Sequence, residues 1–215
     1  MNGKNKTAVF IILVATLFLG VVYIAYIPPW QSPDEPTHYE YAAVLARGGR
    51  FWSPRPDYAL QKRIITSLDR YNYWQWVGVK KPETLPSEFR KTPFLSSAFS
   101  QIGKNPPGYY LIASLFLKLF PSGSIIRQLY LLRVLSLVFS ILTLVYVFLC
   151  ARRIFPDRPG LVLGAVSFTA FLPQFLLIGT SVSPDPLINL LGTILIYLVL
   201  RTGMKGLSTF NVISV

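Results

Sequence analysis

Residues 8–41 read AVFIILVATLFLGVVYIAYIPPWQSPDEPTHYEY, and this stretch decides what kind of molecule the chain makes. Its first part, Ala8 to Ile27, is twenty apolar or small residues without a charge. At about 1.5 Å per residue such a helix crosses the roughly 30 Å of a bilayer's hydrocarbon core. Lys4 and Lys6 precede it. The rival reading is a cleaved signal peptide. The apolar part is too long for one, and no small-x-small cleavage site precedes Pro28, so an uncleaved first transmembrane helix is expected. Directly after it come Asp34, Glu35 and Glu40, three of the nine acids in the chain, together with its one histidine, His38.

Composition agrees. The chain has 215 residues, 52% of them hydrophobic and only 14% charged, where soluble domains carry roughly 25% charged residues. Mean hydropathy is +0.46. The formal charge of +12 therefore reads as anchoring of membrane helices rather than nucleic-acid binding. The single cysteine, Cys150, forms no internal disulfide and carries no information about redox compartment. No internal repeat, phosphate-binding loop or Cys/His metal cluster is present. The expected fold is an all-α integral membrane protein.

Three further apolar runs complete four expected spans, 8–27, 129–151, 160–182 and 186–203, with residues 204–215 left as an apolar tail too short to span, expected to be cut in or before another helix. Between the first two lies a long segment, 28–128. In it, WQSPDEPTHYEYAAVLARGG predicts a turn and then a helix over about 34–47. Asp34 is its N-cap, Glu35 and Pro36 lie in the first turn, Tyr39, Ala42, Ala43 and Ala46 share one face, and Gly48-Gly49 ends it. YNYWQW, residues 71–76, reads as an aromatic belt at a membrane interface. GYYLIASLFLKLF, residues 108–120, is apolar but short, and suits an interfacial or re-entrant helix better than a span.

Charge decides between the two topologies. If 108–120 spanned, Arg152, Arg153 and Arg158 would lie outside. If it lies on the outer surface, those arginines join Lys4, Lys6, Arg201 and Lys205 in the cytoplasm, as the positive-inside rule requires. In this second arrangement 28–128 is extracytoplasmic, 152–159 is a cytoplasmic loop and 183–185 an outer loop. Asp34, Glu35 and Asp185 then lie on one side at one membrane level, with Arg133 entering the bilayer from that side. Acids in such a place are costly unless solvated, paired or bound to a cation. Asp34 and Asp185 are each explained by helix capping alone; taken together they point to a site.

WQSPDEPTHYEYA, KNPPGYYLIASLFLKLF, RVLSLVFSILTLVYVFLCARRIF and LPQFLLIGTSVSPDPLIN resemble the N-terminal part of GT-C membrane glycosyltransferases, the protein mannosyltransferases and aminoarabinose transferases among them. The resemblance runs from about residue 5 to 203. It implies transfer of a sugar from a polyprenyl-phosphate-linked donor to a protein, glycan or lipid acceptor on the extracytoplasmic face of the plasma membrane. Asp34 would be the acid that activates the acceptor, with Glu35 beside it. Lys104 and Arg133 would meet the donor phosphate, although relatives carry histidine where this chain has Asn105. Asp185 would be a second acid or the ligand of a divalent cation. His38 is expected to orient Asp34 or to be an ordinary interfacial residue; Tyr109 and Tyr110 are ligands or, more commonly, interface anchors. The alternative function is a non-catalytic membrane protein, a lipid-binding or scaffold remnant of such an enzyme. A transporter fits a long outer segment and four spans poorly.

Overall fold

The computed structural model describes residues 3–50, 57–80 and 105–210, with side chains over 5–50, 57–80 and 105–202. Among them are helices and no strands: α1 (Gly3–Tyr26), α2 (Glu35–Ala46), α3 (Tyr58–Arg70), α4 (Tyr73–Val77), α5 (Gly108–Leu119), α6 (Ile125–Ile154), α7 (Pro159–Phe171), α8 (Pro173–Gly179) and α9 (Asp185–Phe210). The protein is all-α. Three helices are long and apolar enough to cross a membrane over Asn5–Tyr26, Ile125–Ile154 and Asp185–Thr202. The apolar run 160–182 is not one straight helix. Proline at 173 has no N–H to give the preceding turn and collides with it, so α7 and α8 meet at Leu172 with a bend of 57°.

The chain divides into two compact units. One comprises residues 1–23, 137–180 and 185–215. Here Phe10, Ile11, Phe18 and Val21 of α1, and Leu191, Leu195 and Val199 of α9, are exposed; apolar side chains left outside a packed interior are what lipid tails require. Helices approach closely where side chains are small. Gly20 faces Leu137 with no room for a Cβ, and Gly179 lies against Ser140, whose Oγ donates to the Gly179 carbonyl at 3.2 Å.

The other unit comprises residues 24–136 and 181–184. Its centre is α2, which is buried on every side from Glu35 to Leu45 except for half-buried His38. The expectation of a single buried face at Tyr39, Ala42, Ala43 and Ala46 is thus too narrow, because α2 packs against both α5 and α3. Its end is as read from sequence. Gly48 takes φ 92, a left-handed conformation that costs other residues a Cβ clash, and the Gly48 and Gly49 amides return to the carbonyls of Leu45 and Val44. Helix α3 is amphipathic: Leu60, Ile64, Ile65 and Leu68 are buried, and Asp57 caps it by accepting from the Leu60 amide at 2.9 Å. The 71–76 segment is only partly a surface belt. Tyr73 and Trp74 are buried in this unit, while Trp76 stays half-exposed. Helix α5 buries Tyr109, Tyr110, Ala113, Ser114 and Leu117, and exposes Leu111, Ile112, Leu115 and Leu119.

Candidate functional site

The turn that links the first span to α2 is organised by one fully buried ion pair, Arg133 with Glu35, 98 residues apart in sequence. Arg133 has five N–H groups in a rigid fork, and all five are engaged. Nε donates to Glu35 Oε1 at 2.8 Å and Nη2 to Glu35 Oε2 at 2.7 Å, a bidentate pair. Nη2 also donates to the Pro28 carbonyl at 3.0 Å, and Nη1 to the carbonyls of Ile27 at 2.7 Å and Ile24 at 3.3 Å. These carbonyls belong to the end of α1 and the residues after it. The last carbonyls of a helix have no intrahelical donor and carry its negative end, so a guanidinium satisfies them twice over.

Glu35 is spent as fully. Beyond Arg133, its Oε2 accepts the Trp30 amide at 3.1 Å and its Oε1 the Val182 amide at 3.3 Å. One carboxylate therefore joins the turn at Trp30, the start of α2, helix α6 and the 181–184 loop. The sequence expectations for these two residues shift accordingly. Arg133 presents no spare N–H to a donor phosphate, and Glu35 offers no free oxygen to an acceptor. Both hold the scaffold that positions their neighbour.

That neighbour is Asp34. It occupies the N-cap position of α2, but its side chain makes no capping bond, and φ is 53°. Its own carbonyl accepts the Thr37 and His38 amides at 3.1 and 3.2 Å. A left-handed aspartate is uncommon and costs of the order of 1 kcal/mol or more. Trp30, fully buried, is left-handed too, with φ 72. The turn between them is strained at both ends and held by the Glu35–Arg133 pair. Its product is an exposed Asp34 carboxylate beside a buried Glu35. The capping role read from sequence is replaced by presentation of the side chain.

Around it, His38 Nδ1 lies 2.8 Å from Tyr110 Oη, and the rings stack at 5.9 Å. Tyr41 and Tyr109 pack on the same Tyr110 ring at 4.2 and 5.4 Å. Tyr109 and Tyr110 are buried rather than anchored at a surface. Burial raises the Tyr109 phenol above its ordinary pKa against the smaller pull of the Ser136 hydroxyl and the Ser183 main chain. His38 is thus held against Tyr110 by a hydrogen bond and a ring stack. Tyr73 sits near enough to Asp34 for the carboxylate to add to the rise that burial gives its phenol. Asp185, in the other unit, is the exposed first residue of α9. Lys104 lies outside the described residues. A divalent cation finds no group of three or more His, Cys, Asp or Glu side chains among the described residues.

Sequence reading missed Glu40. It is completely buried, and its Oε1 accepts Gln61 Nε2 of α3 at 2.7 Å. Burial, with a smaller contribution from Asp57 and against the Gln61 bond, pushes its carboxyl up to about 8. Glu40 Oε2 and Gln61 Oε1 are both buried without a hydrogen-bond partner. Two orphans on two side chains that already share one bond are resolved together if Glu40 is protonated and donates Oε2–H to Gln61 Oε1, closing a cyclic acid–amide pair.

No curated protein and no solved structure matches the chain. A family model does, over residues 17–213, which takes in the last ten residues of α1, the Asp34 turn and α2 to α9. With that match over nearly its whole length, the chain belongs to the family of predicted membrane proteins described as DUF2142.

Proposed function

We propose that the chain carries the acceptor-activating acid of a GT-C-type membrane glycosyltransferase, and that the acid is Asp34. The observation that carries the reading is a carboxylate held exposed on a strained turn at the mouth of the first span, beside a second carboxylate that is wholly consumed in fixing that turn. Strain of this kind concentrates where structure serves chemistry. In the reaction, the Asp34 carboxylate takes the proton of an acceptor hydroxyl or amine. The acceptor atom bonds to the anomeric carbon, and the bond from that carbon to the phosphate oxygen breaks, its electron pair leaving on polyprenyl phosphate. Lys104 is the cation for that phosphate.

The test is consumption of polyprenyl-phosphate-mannose, -glucose or -aminoarabinose in proteoliposomes holding the full chain. Asp34→Asn should lower release of polyprenyl phosphate by roughly 10²–10⁴, the usual worth of a general base, with little change in melting temperature. Asp34→Gly, which suits φ 53, should be equally inactive and at least as stable, since glycine carries no strain there. Undiminished turnover in either variant rejects the catalytic role. A wild-type chain that binds these donors without consuming them favours the lipid-binding alternative.

The face of the membrane belongs to the same proposal. Exposed positions Lys62 and Asp157, replaced singly by cysteine in a Cys150→Ser background, should label from the extracytoplasmic and the cytoplasmic side respectively. Outside labelling at 157 would mean that 108–120 spans.

A further inference from the structure

A recess of about 490 Å³ opens between the C-terminal ends of α2 and α5 and the start of α6. Its lining includes Arg47, Lys118, Ser122, Gly123 and Gln128, all within one compact unit, and among the described residues none of the lining is acidic. The size is that of a small-molecule site. We propose that it binds the headgroup phosphate of an anionic glycerophospholipid.

Helix α5 has 12 residues, about 18 Å, too short to cross hydrocarbon. Yet Leu111, Ile112, Leu115 and Leu119 form one exposed stripe along it, continued by Phe120, with exposures of 40–63%. An apolar stripe on a short helix packed against protein on its other face lies in the plane of the membrane surface. Gln128 places the recess at the first turn of α6, the end of a span. Both observations put it at the level of lipid headgroups.

Charge then selects the ligand. Two helix C-termini converge on the recess, and their carbonyls would repel an anion unless cations intervene. Cations do. Lys118 stands exposed in the last turn of α5, and no described ion pair engages it. Arg47 follows the last turn of α2, with Nη1 on Asp57 at 2.8 Å and the remainder of the fork unassigned to that carboxylate. Arg63 binds the Gly123 carbonyl at 2.6 Å, which removes one competing acceptor from the lining. Ser122 Oγ accepts the Ser124 amide at 3.2 Å and keeps its own O–H to donate. Cations, a hydroxyl donor and an apolar stripe alongside match a phosphate joined to acyl chains, whereas free phosphate would use only the first two. The recess is distinct from the Asp34 turn and does not depend on its proposed chemistry.

The experiment is lipid retention by the full chain, delipidated in detergent and titrated with phosphatidylglycerol or phosphatidylcholine, read by native mass spectrometry. Wild type should hold phosphatidylglycerol preferentially. Lys118→Glu should weaken it about fivefold or more, since each basic residue near a lipid surface is worth about fivefold, and leave phosphatidylcholine and the melting temperature unchanged. Arg47→Lys, which keeps the charge, should weaken it less. Asp34→Asn should not affect it. Unchanged phosphatidylglycerol retention in Lys118→Glu overturns the proposal, as does equal loss of both lipids. So does protection of wild type by inorganic phosphate to the same extent as by phosphatidylglycerol, which would mean a free-anion site, or displacement of phosphatidylglycerol from this recess by polyprenyl phosphate, which would mean a donor site.

Discussion

Replacing Glu35 by alanine should destabilise the protein by about 3–5 kcal/mol, the range for removing one partner of a buried ion pair. The residue left behind is a guanidinium at zero exposure, with its charge uncompensated and two of its donors empty. The Trp30 and Val182 amides lose their acceptor at the same time. Arg133→Met should cost as much, by leaving the carboxylate unpaired and taking the guanidinium from the Ile24 and Ile27 carbonyls, while the Pro28 carbonyl keeps the Gln31 amide. The double variant should recover part of the loss, because a neutral pair no longer buries charge. The charge swap Glu35→Arg with Arg133→Glu is the discriminating case. An ion pair that matters only for its attraction would be restored by the swap. Here the new carboxylate at 133 would face the carbonyls of Ile24, Ile27 and Pro28, and the new guanidinium at 35 would face two amide N–H groups. The swap should therefore be no better than either single variant. Unfolding in mixed micelles measures all four. A loss below about 1 kcal/mol for Glu35→Ala, or full recovery in the swap, would remove the pair from its place as organiser of the turn.

How far this arrangement could be read beforehand depends on the range of the interactions. The membrane helices were legible because a span is a local property, about twenty apolar residues without charge. The bend at Pro173 was not read within the expected 160–182 span, although a proline inside an apolar run is a local signal for it. The short length of α5 was also local, but which face it exposes was not, because the helix is apolar on the buried face of Tyr109, Tyr110, Ala113 and Leu117 as well as on the exposed one. The Glu35–Arg133 pair is different. Each residue was conspicuous, an acid at the mouth of one span and the one charge within another. The rule that such charges are paired applied to both. What sequence could not supply was that each was the other's partner, because the pairing joins elements 98 residues apart. Read singly, the two residues were assigned to chemistry; together they account for one another and leave Asp34 as the exposed acid. Residues 81–104, with Lys104, lie outside the described part of that picture.

Burial on all sides of α2 was hidden for a related reason. The helix is polar enough, with Glu35, Thr37, His38 and Glu40, to suggest a solvent-facing side. Glu35 and Glu40 are buried and His38 half-buried because each meets a partner from another element: Arg133 of α6 for Glu35, Tyr110 of α5 for His38, Gln61 of α3 for Glu40. Amphipathic patterning reports polarity, and polarity reports exposure only when no partner waits inside. Three of the four polar side chains that made α2 look like a surface helix are instead where it is fastened.

The Glu40–Gln61 fastening gives the protein a pH dependence of definite sign. Glu40 titrates near 4.5 when unfolded and near 8 when folded. Burial is the main cause, with Asp57 raising the value further and the Gln61 amide opposing. Between these values the folded state holds a proton that the unfolded state has released. Its contribution to stability is therefore complete below pH 4.5, declines by up to about 1.4 kcal/mol for each pH unit above it, and is lost once pH passes 8. The measurement must isolate Glu40 from any other group whose charge changes in this window. Glu40→Gln does so. A glutamine at 40 gives its carbonyl to Gln61 Nε2 and its N–H to Gln61 Oε1, the same two bonds as the protonated acid, and cannot ionise. Near pH 5 the variant should melt close to wild type. From there to pH 8 the wild type should fall progressively behind it, and above pH 8 the gap should stay constant. Gln61→Leu should destabilise at every pH, because it strands both Glu40 oxygens. A gap between wild type and Glu40→Gln that does not grow with pH would show that Glu40 is ionised in the fold, and that the two orphaned oxygens are not joined by a proton.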